Sequence, residues 1–339
     1  MAIPRPKARA SAHTFLKNKT VLITGGTGTF GQAFVTRLLR DNQVKKLIVF
    51  SRDEFKQHQM QQRVSDPHKK LRFFIGDIRD RERLERAFSG VDIVVHAAAL
   101  KQVPATEYNP TEAVKTNING SQNVIDAALD AHVEKVLLVS SDKAVQPINL
   151  YGATKLAAEK LFVAANVYSN DEHPVAFSVV RYGNVVGSRG SFIELLRTQR
   201  ATGTITLTHE KMTRFWITIE EVMDVVLENL SRMKGGEIFV PKMGNMPVYD
   251  VVKMLTPECK VKVTGIRPGE KLHEVLITEY EAPRAHDIGY AYVIKPEFLP
   301  SATTSWVDRY PHVDTDFIFA SDNAAFQLDQ KQARKILVL

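Results

Sequence analysis

Six short apolar runs, each followed by an amphipathic stretch, set the tightest limit on how this chain can fold. They are TVLITG from Thr20, KLIVFS from Lys46, LRFFIG from Leu71, DIVVHAAA from Asp92, KVLLVSS from Lys135 and VAFSVVRY from Val175. A strand with one wet face alternates apolar and polar residues; these runs are apolar on both faces, the pattern of strands covered by helices on both sides. Helical stretches such as PTEAVKTNINGSQNVIDAALDA, from Pro110, separate them. Repeated strand–helix units with buried strands predict an α/β fold, a doubly wound parallel sheet with right-handed crossovers.

The pattern changes after Asn184. GSRGSFIELLRTQRATGTITLT leaves the sheet, TIEEVMDVVLENLSRM (from Thr218) reads as a helix, and GEIFVP (from Gly236) reads as the last strand. We therefore expect a nucleotide-binding domain over 19–185 and 213–243, and a smaller, discontinuous substrate lobe over 186–212 and 244–339. The basic start, residues 1–18, lacks an apolar signal core and reads as a loose extension. The chain has 339 residues, one cysteine, and a net charge of +7. One cysteine, Cys259, excludes an intramolecular disulfide framework and fits a reducing cytoplasm. No apolar run approaches the roughly 18–20 residues that span a bilayer, so no membrane association is expected. The basic residues lie among acids, as in RDRERLER (Arg79 to Arg86). That is the pattern of a solvated helix face, and it argues against nucleic acid as the partner.

LITGGTGTFGQAF follows the first strand and opens a helix. Gly26, Gly28 and Gly31 give G-x-G-x-x-G, and Gly25, Gly28 and Gly31 give a variant spaced by three. Glycine is needed where backbone N–H groups approach a pyrophosphate at a helix N-terminus. On a strand–turn–helix this predicts a Rossmann dinucleotide site, with Thr29, Phe30 and Ala98 beside it. The second strand ends in FSRDEFK. An NAD site wants a carboxylate there for the ribose diol, whereas an NADP site wants cations and hydroxyls for the 2′-phosphate. Ser51, Arg52 and Lys56 favour NADP, and Asp77 and Ile78 are placed to meet the adenine.

VSSDKAVQPINLYGATK carries a second constellation. Tyr151 and Lys155 are four apart and share one face of a helix. An ammonium beside a phenol lowers its pKa toward working pH and makes it a base. Ser141 is placed to hydrogen-bond the same substrate oxygen.

With these motifs the chain resembles the extended short-chain dehydrogenase/reductases and, within them, the inverting UDP-N-acetylglucosamine 4,6-dehydratases. The resemblance rests on ITGGTGTFG, FSRDEFK, HAAALKQVPATEYNP, SSDKAVQPINLYGATK, VVRYGNVVGSRGS, MTRFWIT and GIRPGEKLHE, and covers nearly everything from Lys19 to FASDNAAFQL. It implies oxidation at sugar C4 with hydride passing to NADP, loss of the C6 hydroxyl, and hydride return to C6. Tyr151 would then serve as base at O4, Lys143 as base at C5, and Asp142 as acid for departing water. The retaining dTDP-glucose-type dehydratases carry Asp–Glu at the Asp142–Lys143 position, and long membrane-anchored relatives carry methionine in place of Tyr151. For a UDP-sugar the resemblance implies Asn184, Arg189, Thr213, Arg267 and Glu270, with Lys101 reaching cofactor or substrate. Arginine forks match diphosphate oxygens, and a glutamate suits ribose hydroxyls. It further implies a homo-oligomer, dimer or hexamer, opening pseudaminic acid or related surface-glycan synthesis.

Two alternatives stay open: a UDP-hexose 4-epimerase, which needs the tyrosine and cofactor but no acid–base pair at C5 and C6, and a dinucleotide sensor without turnover. His96 and His273 read as satisfied interior residues, Cys259 as packed or surface, and no set of side chains has metal-ligand spacing.

Overall fold

The computed structural model describes residues 14–169, 172–188, 190, 192–298 and 304–337. The six apolar runs and GEIFVP form parallel strands: β1 (Thr20–Thr24), β2 (Lys46–Ser51), β3 (Leu71–Ile75), β4 (Ile93–His96), β5 (Lys135–Ser141), β6 (Ala176–Tyr182) and β7 (Ile238–Pro241). A hairpin, β8 (Ala285–Asp287) and β9 (Ala291–Ile294), joins the edge through an antiparallel β7–β9 pairing. The sheet order is β8-β9-β7-β6-β5-β4-β1-β2-β3.

Successive side chains of one strand enter opposite cores, because a strand's side-chain period is two. Val21 and Ile23 of β1 pack with Phe34, Val35 and Leu38 of α1 (Thr29–Asp41) and with Val222 and Val226 of the helix Ile219–Arg232. Leu22 faces the other way, toward Phe88, Val124, Phe162 and Phe177. Each such side chain taken from water contributes about 1.5–3 kcal/mol. Helices on both faces thus cover a sheet whose strands have no polar side to expose.

From β1 the chain runs outward through β2 and β3, then returns to place β4 on the other flank of β1. The carboxyl ends of β1 and β4 therefore border a crevice at a topological switch point, where open α/β sheets bind ligands.

Two placements differ from the sequence expectation. Residues 285–294, expected in the substrate lobe, extend the central sheet instead. A hairpin needs no crossover, and Gly289 (φ 95°) turns between its strands. Strand Thr213–Ile217, expected with the nucleotide-binding part, pairs with Asn184–Val185 and Gly244–Pro247 in a separate three-stranded sheet. Thr204–Leu207 with Lys260–Val263, and Val275–Ile277 with Phe319–Ala320, form two further small sheets.

The stretch from Pro110 is broken as well. A single π turn, Lys115–Asn119, separates Pro110–Val114 from Gly120–Asp130. Within it Asn117 is buried; its side chain accepts from Leu100 N–H (2.8 Å) and donates to Leu100 O and Thr154 Oγ1 (both 2.9 Å). That ties the loop after β4 to the helix Leu150–Ala164. Below the same helix Arg181 of β6 is fully buried between Glu159 (2.7 Å) and Glu281 (3.0 Å), locking helix, sheet and the turn after Val275–Ile277 together.

Candidate active site

At the crevice the glycines form a cradle that no side chain could share. Gly25 has φ 68°, and a Cβ there would lie 2.9 Å from the Ala98 Cα. A Cβ on Gly31 would lie 2.4 Å from the Gly26 Cα, so helix α1 and the loop touch backbone to backbone. Gly28 is the N-cap of α1, and the helix's first turn holds no acid. A helix start of that polarity suits a diphosphate.

Every residue expected at the cofactor site lines one cavity of about 810 Å³: Gly25, Gly28, Thr29, Phe30, Gly31, Ser51, Arg52, Lys56, Asp77, Ile78, Ala98, Lys101, Tyr151 and Lys155. At the end of β2, Ser51 is buried and its Oγ accepts from Gln57 Nε2 at 2.9 Å. Asp53, two residues past the end of β2, lines the same cavity, but its carboxylate is already engaged. It caps helix Glu54–Arg63 by accepting from Lys56 N–H (2.9 Å) and pairs with Lys56 Nζ (2.7 Å). The Lys56 side chain and backbone hold it below the ordinary carboxylate range. Arg52 projects past it, more than half exposed and 3.7 Å from Asp77.

The reactive groups come from β5 and the next helix. Ser141 ends β5, Asp142–Ala144 makes one tight 3₁₀ turn, and Asn149 caps helix Leu150–Ala164 by accepting from Gly152 N–H at 2.7 Å. A Cβ on Gly152 would stand 2.2 Å from the Lys143 carbonyl oxygen, so the helix presses directly on the turn and brings Tyr151 beside it. Ser141 Oγ donates to Asp142 Oδ1 (2.7 Å), and Lys143 Nζ donates to the same oxygen (3.0 Å). The second Asp142 oxygen is buried with no hydrogen-bond partner among the described residues.

Burial opposes both charges, yet the ion pair wins. Desolvation would raise Asp142, but the Lys143 ammonium and the Ser141 hydroxyl hold it below its usual value. Desolvation would lower Lys143, but Asp142 and Glu274 carry it above the ordinary lysine range. Adjacent opposite charges thus settle as two ions in the unliganded site.

In the unliganded site Tyr151 feels Lys143 rather than Lys155. Burial pushes the Tyr151 phenol up, and the ammonium opposing that rise is Lys143, aided by a hydrogen bond with Ser141. Lys155 is itself desolvated to about 8, and its Nζ donates to the Val139 carbonyl at 2.8 Å. Its charge is not among those that act on the phenol in the unliganded site.

On the substrate side, Asn184, Arg267 and Glu270 line the cavity; Asn184 Oδ1 is buried without a partner among the described residues. Arg189 lies outside the described residues. Thr213 stands behind the wall, its hydroxyl bonded to His273 Nδ1 (2.8 Å) and Ser321 Oγ (2.7 Å). Its neighbour Arg214 faces the cavity, its guanidinium fixed by the carbonyls of Thr213, Lys271 and Leu272 at 2.7–3.1 Å. Sequence reasoning missed Arg214 and Glu274, although MTRFWIT and EKLHE contain them. A buried position in two distant motifs was the only signal. His96 is interior, bonded to Thr24 (2.7 Å) and Ser121 (3.2 Å) and desolvated to about 3. Cys259 is buried. No helix among the described residues is long and apolar enough to cross a membrane.

A glycine-cradled switch point, a Ser–Tyr–Lys set on β5 and its helix, and small sheets closing the cavity define an extended short-chain dehydrogenase/reductase. The comparisons agree and go one step further: residues 21–296 match the family described as "Polysaccharide biosynthesis protein", and the chain belongs to it. Two curated inverting UDP-N-acetylglucosamine 4,6-dehydratases of Campylobacter jejuni, serotypes O:23/36 and O:2, are 48% and 43% identical, each over 94% of this chain and 97% of the relative. A UDP-glucose 4-epimerase of Rickettsia akari is 42% identical over 82% of this chain and 83% of its own. Among solved structures, Pen from Bacillus thuringiensis superposes with a TM-score of 0.87 at 36% identity, covering 96% of this chain and 98% of that one.

Proposed function

We propose that this enzyme dehydrates UDP-N-acetylglucosamine to a UDP-4-keto-6-deoxy-hexosamine with inversion at C5. The observation that carries the reading is the Asp142–Lys143 pair, set beside Tyr151 and turned into the cavity. A 4-epimerase has use for the tyrosine but none for a buried acid–amine pair one turn away. The Campylobacter relatives, matched over nearly their whole length, support the same reading.

The cradle of Gly25, Gly28 and Gly31 fits a dinucleotide, and an Asp53 already engaged by Lys56, with the exposed Arg52 beside it, fits NADP better than NAD. Held by the glycine cradle, such a dinucleotide would supply reversible hydride chemistry between sugar C4 and C6. The protein's part is the movement of protons. Tyr151 takes the O4 proton, with Ser141 holding the same oxygen. The resulting ketone acidifies C5–H, which Lys143 removes, while Asp142 gives its proton to the departing C6 hydroxyl. Hydride addition at C6 then leaves an enolate, and C5 takes a solvent-derived proton on the face opposite the one Lys143 deprotonated, which gives the inversion.

Those last roles need a neutral amine and a neutral acid, whereas the unliganded pair is ionic. One proton passing from Lys143 Nζ to Asp142 across their 3.0 Å contact supplies both forms at once. A sugar covering the remaining exposed part of Lys143 drives that transfer, because desolvation penalises both ions together. Arg267 and Arg214 suit the diphosphate, with Asn184 and Glu270 holding sugar and ribose hydroxyls. The product is a precursor for surface glycans, such as pseudaminic acid, made in the cytoplasm.

The test is incubation with UDP-N-acetylglucosamine in deuterated water. Deuterium at C5 and a methyl at C6 are expected. An intact C6 hydroxymethyl with C4 inverted would replace this reading with the epimerase.

A further inference from the structure

Glu274 has no role in the steps above, yet it is almost fully buried, 2% exposed, against the reactive pair. It precedes strand Val275–Ile277, which contacts the Asp142–Ala144 turn. Its Oε1 lies 3.7 Å from both Lys143 Nζ and Arg214 Nε, and its Oε2 lies 3.9 Å from Lys271 Nζ. None of these approaches is a hydrogen bond, and Oε2 is buried with no hydrogen-bond partner among the described residues. A carboxylate that served only as a structural ion pair would close to about 2.7–2.9 Å.

Its backbone fixes its place. Glu274 N–H donates to Ser321 Oγ, and Ser321 N–H donates to the Glu274 carbonyl, both at 2.8 Å. Ser321 is fully buried and bonded in turn to Thr213. The carboxylate is therefore held short of contact by a clamp on the main chain. The Lys143 ammonium stands between Asp142 on one side and Glu274 on the other.

We propose that Glu274 is a positioning residue for Lys143, the counter-charge that favours the ammonium formed when that lysine takes the C5 proton. The proposal rests on the dehydratase reading. At the moment of proton abstraction Asp142 is protonated, having yet to release its proton to the leaving hydroxyl, so it offers Lys143 no negative charge. Glu274 is then the carboxylate left within 4 Å of Nζ among the described residues. The charged groups facing it are Lys143 and Asp142 from the turn after β5, Arg214 from strand Thr213–Ile217 and Lys271 from its own segment. Burial raises the Glu274 carboxyl, while Lys143, Arg214 and Lys271 favour its ionised form.

The test compares wild type, Glu274→Gln and Glu274→Asp. In Glu274→Gln, kcat for dehydration falls on the order of 10²-fold, with KM for UDP-N-acetylglucosamine little changed. Losing a nearby negative charge makes Lys143 shed its proton more easily. The limb of kcat along which activity rises with pH therefore moves to lower pH, by about one unit or more. Glu274→Asp keeps the charge and recovers part of both effects. A second readout needs no turnover: titration of the Lys143 side chain by NMR in lysine-labelled, unliganded protein, its signal assigned by its loss in Lys143→Arg. The Lys143 pKa falls in Glu274→Gln. If that variant does not fold, Glu274→Asp shows a smaller shift in the same direction. An unmoved Lys143 titration, or a wild-type pH profile in Glu274→Gln, overturns the proposal. If wild type leaves the sugar undehydrated, the reaction reading falls, while the titration still decides whether Glu274 governs Lys143.

Discussion

Replacing Lys143 with alanine separates the chemistry of the reactive pair from its electrostatics. The ammonium lies 3.0 Å from an Asp142 carboxylate that is 1% exposed. At an effective dielectric constant near 20 that pair is worth about 5 kcal/mol, and removing one partner of a buried pair destabilises proteins by about 3–5 kcal/mol. Arg214 also acts on Asp142, so the lower end, about 3 kcal/mol, is expected near neutral pH. The sign of the pH dependence then reverses. In the wild type Asp142 is depressed, so its stabilisation is present above its unfolded pKa and is lost as pH falls through the folded value. In the variant, burial acts with far less opposition and raises Asp142. The stability this group gives is then present at low pH and is lost as pH rises through the raised value. Urea unfolding from pH 4 to pH 8 should show wild type and variant converging toward acid and diverging toward neutrality. Dehydration should vanish while dinucleotide binding stays, since the glycine cradle is built from the β1–α1 loop and Ala98 and not from the turn after β5. A stability gap independent of pH, or full dehydration by the variant, would refute the account.

Three further outcomes follow from the geometry. Gly31→Ala drives a Cβ to 2.4 Å from the Gly26 backbone; overpacking of about 1–3 kcal/mol should part helix α1 from its loop and weaken dinucleotide affinity in a fluorescence titration. Arg52→Ala removes the outward cation at the end of β2 and should weaken NADP roughly tenfold while leaving NAD nearly unchanged, read by competitive binding of the two. Arg181→Ala strands Glu159 and Glu281 in the interior and should cost about 3–5 kcal/mol in urea unfolding.

The central strands could be read from sequence because LITG, LIVF, VVHA and LLVS are apolar on both faces, and only a sheet sandwiched between helices gives such runs a home. The glycine spacing and the Tyr151–Lys155 interval were equally visible, since both are local. What escaped was long-range. AHD and AYVI are too short and too mixed to announce sheet strands; they join β7 because a hairpin can reach its open edge. The π turn at Lys115–Asn119 answers to the backbone groups of Leu100, which no helical periodicity encodes. Arg214 and Glu274 sit in motifs that were noticed, but their convergence on Lys143 exists only once strand Thr213–Ile217 and the segment before Val275 are folded against β5. The same holds for Tyr151. Its spacing from Lys155 was plain, yet Lys143 acts on it because the helix carrying it packs against the turn after β5.

The main chain commutes between the central sheet and the small ones. It leaves after Tyr182, returns for Ile219–Pro241, departs again at Gly244, comes back as the Ala285–Ile294 hairpin, and departs once more to lay Phe319–Ala320 against Val275–Ile277. Each added pass restrains the small sheets against the central one. The repeated passes thus tether the cavity's outer wall to the sheet that carries the Asp142–Ala144 turn.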